Sequence, residues 1–333
     1  MSGNAATPSL KSRVRDYCAM TDNRKTSTSL RWLLFGGWVV LCSLLFLAPL
    51  AALVRLCLTQ DDMSYLVVIP FLVAGLLFIE RHSIVRRVHS DITLGSLFVV
   101  LALGLFATTR MHRGLSPSDL QLSLNILALL VLCIAGFALF FGRNATRAAC
   151  FPLLYLFLMV PPPSFILYRV IYLLQAGSAD ITGTLFDLLR IPALRQGFVF
   201  LLPQVSIAVE KECSGIRSSM ALLILALPVV HFGFKRLWKK IAFLLCAMLV
   251  MIVKNGIRIV TLTLLAMYVD PSFLFGKLHR QGGIVFFLLG LLLLVPVYLV
   301  LQVGESPSRL VDSTGDNNLQ SRDNSQPAEI EQA

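Results

Sequence analysis

Long apolar runs separated by short polar connections make up most of the chain, and they set its architecture before any single residue does. The runs fall at about 32–54, 64–80, 92–109, 119–141, 149–167, 214–234, 241–269 and 281–302. Each approaches or exceeds the roughly 20 residues that an α-helix needs to cross a ~30 Å hydrocarbon core. The second and third are short, and the fifth ends in the prolines of 161–163. The pattern predicts an all-α membrane protein, a polytopic bundle of about eight transmembrane helices over 31–302. Its flanks read differently. Residues 1–30 are polar and rich in Ser, Thr and Arg, while 303–333 are poor in apolar side chains and net acidic. Both are expected to be disordered cytoplasmic tails, because neither can bury enough apolar surface to offset ordering entropy. The first run carries no small-residue cleavage site, so a retained helix is expected there and not a removed signal.

The connection 160–212 is the longest on its side and carries structure of its own. VPPPSFILYRVIYLLQ starts with a proline turn and then resumes helical spacing, with Arg169 its only charge up to Gln175. Such a segment is expected to lie in, or re-enter, the outer interface. Further on, GFVFLLPQVSIAVEKE alternates around Pro203-Gln204 with Val205, Ile207 and Val209 on one face. That alternation predicts a small extracytoplasmic β-hairpin leading straight into Cys213. No internal repeat or inverted symmetry is visible, which weighs against a transporter.

Composition agrees with the pattern: 56% of the 333 residues are hydrophobic and only 14% charged, with a mean hydropathy of +0.78. The net charge of +11 would suit nucleic-acid binding, but its placement argues otherwise. Basic residues gather in alternate connections: Lys11 to Arg31 before the first run, Arg81 to Arg87 after the second, Arg143 and Arg147 after the fourth, Lys235 to Lys240 after the sixth. This is the positive-inside distribution. It puts both termini in the cytoplasm and the connections near 55–63, 110–118, 168–213 and 270–280 outside. The seven cysteines show no paired short spacing, so neither a metal cage nor a disulfide framework is read, and nothing calls for a cofactor.

Three places carry polar chemistry at the edge of apolar runs. The first is EKECSGIRSS, at the head of the sixth run. A lone cysteine in a membrane protein is ordinarily a small apolar filler, but Cys213 lies among Glu210, Lys211, Glu212 and Arg217 where a helix begins. The helix N-terminus and a nearby guanidinium both favour thiolate over thiol. Gly215 removes a side chain next to the sulfur and would let a substrate backbone come close. Arg217 is one turn beyond Cys213, where a snorkelling interface arginine is the plain alternative. The second place is VKNGIRIVTLT, which puts Lys254, Asn255, Arg258 and Thr261 on one stripe of the seventh run. Charge in a bilayer costs a few kcal/mol, so such a stripe is expected to face a polar cavity. Counting ~1.5 Å per residue from Ile241 puts Arg258 roughly 26 Å along, in the outer leaflet. The third is GKLHRQGG, with His279 at the outer start of the last run. Alone, His279 reads as an interfacial residue. Together, a thiol, a cation and a base at one membrane face are the minimum set for acyl transfer through a thioester.

ECSGIRSS at the head of one span, NGIR in the next, and His279 followed by Gly282 and Gly283 resemble, in that order, the three signatures of the exosortase and archaeosortase family. FLMVPPPSFILYRVIYLLQ and LLRIPALRQGFVFLLP are similar to that family's approach to its cysteine, and the likeness covers about 150–290 well and the first four spans loosely. The second run departs from the family pattern: DDMSYLVVIP has neither the histidine nor the glycine found there, and no role is assigned to it. The resemblance implies a membrane cysteine protease and transpeptidase that processes secreted proteins at a C-terminal sorting signal. That signal is a short motif such as Pro-Glu-Pro, a hydrophobic helix and a basic tail. It implies Cys213 as nucleophile, Arg258 as the essential arginine and His279 as the residue completing the site. A bacterial inner-membrane location, an outward-facing site, contact with membrane lipid and a link to exopolysaccharide synthesis go with it.

Arg217 competes with Arg258 for the cationic role, and the residue pattern alone does not separate them; the resemblance favours Arg258. Asn255 and Glu212 are candidate supporting residues, with a solvated surface anchor the plainer reading of Glu212. The rival reading is a non-enzymatic transporter or scaffold subunit of an exopolysaccharide export complex, in which Lys254 and Arg258 bind an anion and Cys213 is inert.

Overall fold

The computed structural model describes residues 10–88, 92–111, 118–203, 205–209, 215–270, 272 and 283–304, with side chains from Thr28 onward. The chain is an all-α polytopic membrane protein: among the described residues seven helices are long and apolar enough to cross a membrane, or eight if one broken pair counts as a span. It divides into two compact units, residues 1–164 and 165–333.

In the first unit, α1 (Leu10–Leu45), α2 (Leu47–Thr59) and α4 (Ile92–Met111) pack on α5 (Ser118–Phe141), most of whose residues are buried, and α3 (Ile69–Val85) joins them through Ile84, which clusters with Phe137 and Phe141. Helix α1 takes in much of the polar stretch 1–30; its apolar part is Thr28–Leu45. The Trp38 indole donates to the Leu132 carbonyl at 3.0 Å and Arg31 to that of Phe140 at 2.7 Å, fixing α1 on α5. Gly136 and Gly95 let Trp38 and Leu139 pack where a β-carbon would stand. The run 32–54 is not one helix. It breaks at Phe46, because Pro49 lacks an N–H and its ring excludes the carbonyl of the residue four before it, Leu45.

The run 149–167 is broken too. Short helices α6 (Arg143–Ala148) and α7 (Cys150–Tyr155) and a 3₁₀ turn over Leu156–Met159 precede the prolines at 161–163. The turn is held by α5: Ser123 Oγ donates to the Pro161 carbonyl at 2.7 Å, and Asp119 Oδ2 accepts from the Ser164 N–H at 2.7 Å.

The second unit holds α8 (Ser164–Leu188, from Phe165 on), a small antiparallel sheet, α9 (Ile216–Gly233), α10 (Leu237–Tyr268) and α11 (Gly283–Gln302). The predicted hairpin is present and gains a strand: β1 (Leu194–Gln196), β2 (Val199–Leu201) and β3 (Ser206–Ala208) lie in that order. Val205, Ile207 and Val209 do share one face. They pack with Phe200 and Leu202 against Ala179 and Phe186 of α8 and against Ile259 and Val260 of α10. Gln175 of α8 also donates to the Val209 carbonyl at 3.0 Å, so the chain entering α9 is tied down four residues before Cys213.

Candidate active site

Three consecutive residues of α10, Lys254, Asn255 and Gly256, together meet α8, α9 and α11. Lys254 and Asn255 are each only 1% exposed, although both are costly to withdraw from water. Lys254 donates to Ser218 Oγ on α9, and its stem crosses Gly290 of α11, where a β-carbon would stand 3.3 Å from Lys254 Cδ. Asn255 points toward α8 and the start of α9. Its amide donates to Ser178 Oγ at 2.9 Å, and a β-carbon on Gly215 would stand 2.5 Å from its Oδ1. Gly256 meets α8 directly, its place for a β-carbon being 2.5 Å from Ile181 Cγ2. Lys254 and Asn255, half of the stripe expected to line one polar cavity, thus join helices instead.

The same contacts fix the direction of the helices. Lys239 Nζ donates to the Val303 carbonyl at 2.9 Å, Phe243 lies 6.3 Å from Tyr298 between ring centroids, and Lys254 passes Gly290. As the α10 numbers rise the α11 numbers fall, so the two are antiparallel. Helix α9 is antiparallel as well, with Phe234 against Phe243 and Ser218 against Lys254. The heads of α9 and α11 therefore lie toward the C-terminal end of α10, the end that carries Arg258. Gly283 is seven residues before Gly290 and stands about 10 Å further toward that end.

Gly215 begins α9 in the left-handed region, at φ 69° and ψ 17°, with no side-chain cap. This corrects the reason for the glycine: the space beside it is taken up by Asn255 and is not kept open for a substrate. Arg217, on the first turn of α9, is exposed; Arg258 is half-buried beside Ile259 and Val260, which pack on the sheet. The structure thereby gives the two arginines different settings. Cys213, Glu212 and His279 lie outside the described residues.

The sequence model of transmembrane exosortases matches residues 57–296. The chain belongs to the transmembrane exosortase family. No curated protein and no solved structure matches it. The match spans every contact of this exosortase described above from Ser178 to Gly290, and reaches back to Cys57 in the first unit. Sequence reasoning missed Ser178, Ser218 and Gly290 as partners of the α10 motif. A signal was present: small residues in apolar helices let neighbouring backbones approach, and Gly177, Ser178 and Ser218 stand out as such in α8 and α9.

Proposed function

We propose that this exosortase is a membrane cysteine protease and transpeptidase that acts on the C-terminal sorting signal of secreted proteins. The observation that carries the reading is the contact of Gly215 with Asn255, which sets the last residue of the Cys-Ser-Gly sequence against the Asn-Gly-Ile-Arg motif. Covalent geometry limits the rest. Cys213 is two residues from Gly215, so its Cα is within about 7.6 Å of that contact. Arg258 is three residues along α10 from Asn255, and its side chain can reach the same region. His279 is four residues before Gly283, within about 15 Å of the head of α11.

In this reading the Cys213 thiolate attacks the carbonyl carbon of the scissile peptide bond, and Arg258 stabilises the oxyanion that forms. As the C–N bond breaks, His279 gives its proton to the leaving amine, which departs with the hydrophobic helix and basic tail. An acceptor amine or water, losing its proton to His279, then attacks the thioester and frees Cys213. Arg258 is favoured over Arg217 by its half-buried setting, where an ionic contact is worth more than at an exposed position. From Leu237, beside the basic residues Lys235 and Arg236, to Arg258 is ~32 Å of helix, about one hydrocarbon thickness. That separation supports a site facing away from the cytoplasm. The transporter reading asks Lys254 to bind an anion, whereas Lys254 is buried and bonded to Ser218.

The test is a Cys213→Ala variant expressed with a secreted reporter that ends in a Pro-Glu-Pro motif, an apolar helix and a basic tail. Processing should stop while the variant accumulates in the membrane at the parent level. Cleavage at the parent rate would remove Cys213 from the mechanism.

A further inference from the structure

Lys254 is the one charged side chain among the largest fully buried ones described, and no step of the mechanism above uses it. Three elements are shaped around it. Gly290 of α11 leaves room for the stem, Leu222 of α9 lies beside the same opening, and Ser218 of α9 meets the ammonium. A lysine has only donors to offer, so Ser218 Oγ must accept from it, and the single hydroxyl proton is then available to another acceptor. That acceptor is the Gly215 carbonyl, 3.0 Å from Ser218 Oγ. The same carbonyl takes the first helical bond of α9, from the Ser219 N–H at 2.9 Å. A continuous line of hydrogen bonds thus runs from a buried ammonium through a hydroxyl to the left-handed residue that opens α9. Bonds in such a line polarise one another, and the ammonium fixes the direction of the hydroxyl proton.

Packing alone gives no reason for this arrangement. Burying the ammonium is costly, and Arg258 one turn along the same helix adds like-charge repulsion. A methionine would fill the same elongated space without either penalty.

We propose that Lys254, acting through the Ser218 hydroxyl, is a positioning residue that holds the Gly215 carbonyl at the start of α9, two residues along the chain from Cys213. The proposal rests on Cys213 being the nucleophile. Gly215 is held from two sides: Asn255 occupies the space where a side chain would be, and Ser218 binds the carbonyl. Without the Ser218 bond the Gly215 carbonyl keeps only the helical bond from the Ser219 N–H, and the start of α9, two residues after Cys213 in the sequence, is held less firmly.

The test uses the full-length protein in detergent micelles, with iodoacetamide as the probe at neutral pH. The alkylation rate at Cys213 is read by mass spectrometry of its peptide and compared with that of N-acetylcysteine; thermal melting is followed in parallel. Lys254→Met and Ser218→Ala should each slow Cys213 alkylation about tenfold or more, and Ser218→Thr should keep the rate within about twofold of the parent, the scale set by one hydrogen bond to a charged group. Lys254→Met should melt at or above the parent temperature, which a purely structural role for the lysine would not allow. Parent-like rates in both Lys254→Met and Ser218→Ala would overturn the proposal, as would slowing that Ser218→Thr shares. If Lys254→Met does not fold, the Ser218 pair decides. A parent protein whose Cys213 reacts no faster than N-acetylcysteine would instead refute the nucleophile assignment, a result distinct from a fast parent with unaffected variants.

Discussion

Gly215 shows how narrow the tolerances of the candidate site are. Its φ of 69° is strained for any residue with a side chain, and a β-carbon there would stand 2.5 Å from Asn255 Oδ1 and 2.9 Å from Asn255 Cγ. Gly215→Ala should destabilise the protein by about 2 kcal/mol or more, from the left-handed backbone and the overlap together. In an Asn255→Ala background the overlap disappears and only the backbone strain persists, so the cost of Gly215→Ala should fall. A double-mutant cycle on melting in detergent measures the difference, and equal costs in the two backgrounds would contradict the contact. At this scale the sequence displayed the unusual residues but not their partners. Lys254 and Asn255 stand out because polar groups in an apolar run must have a reason. That Ser218 and Ser178 are the reason depends on pairings across 36 and 77 residues, which spacing along one helix does not encode.

Among the elements, α10 is the axis of the second unit's contacts. It reaches α9 and α11 through Lys254, α8 through Asn255 and Gly256, and the sheet through Ile259 and Val260. Gly256→Ala would put a β-carbon 2.5 Å from Ile181 Cγ2 and 3.4 Å from the Thr182 nitrogen, forcing α8 and α10 apart. It should cost about 1–3 kcal/mol on melting, whereas Gly104→Ala, with nothing within 4 Å, should stay within about 1 kcal/mol of the parent. Similar effects for the two would contradict this packing. Most helices were readable because hydrophobicity marks a span regardless of what it packs against. The break at Phe46 was not: both sides of it are apolar, and a proline three residues on gives the only sign. Strand β1 was hidden for a related reason. Leu194, Arg195 and Gln196 are all exposed, so no alternation betrays them, and their order comes from pairing with β2.

For the molecule as a whole, every described contact of the candidate site lies in the unit of residues 165–333, while the family match starts in the other, at Cys57. The resemblance read from motifs covered about 150–290, because those motifs cluster where chemistry constrains residue type. The first spans are constrained mainly by being apolar, and apolar residues substitute for one another freely, which leaves little to recognise by eye. What the whole chain is proposed to do reduces to one covalent event: the sulfur of Cys213 carries the secreted protein between cleavage and transfer. The most direct measurement is to stop the reaction with acid while the full-length exosortase is turning over the sorting-signal reporter, and to map the adduct by mass spectrometry. The account predicts the reporter's new C-terminus joined to Cys213 as a thioester that hydroxylamine releases. An acyl group found on Ser218 or another residue, or cleavage that proceeds with Cys213 never modified, would contradict it.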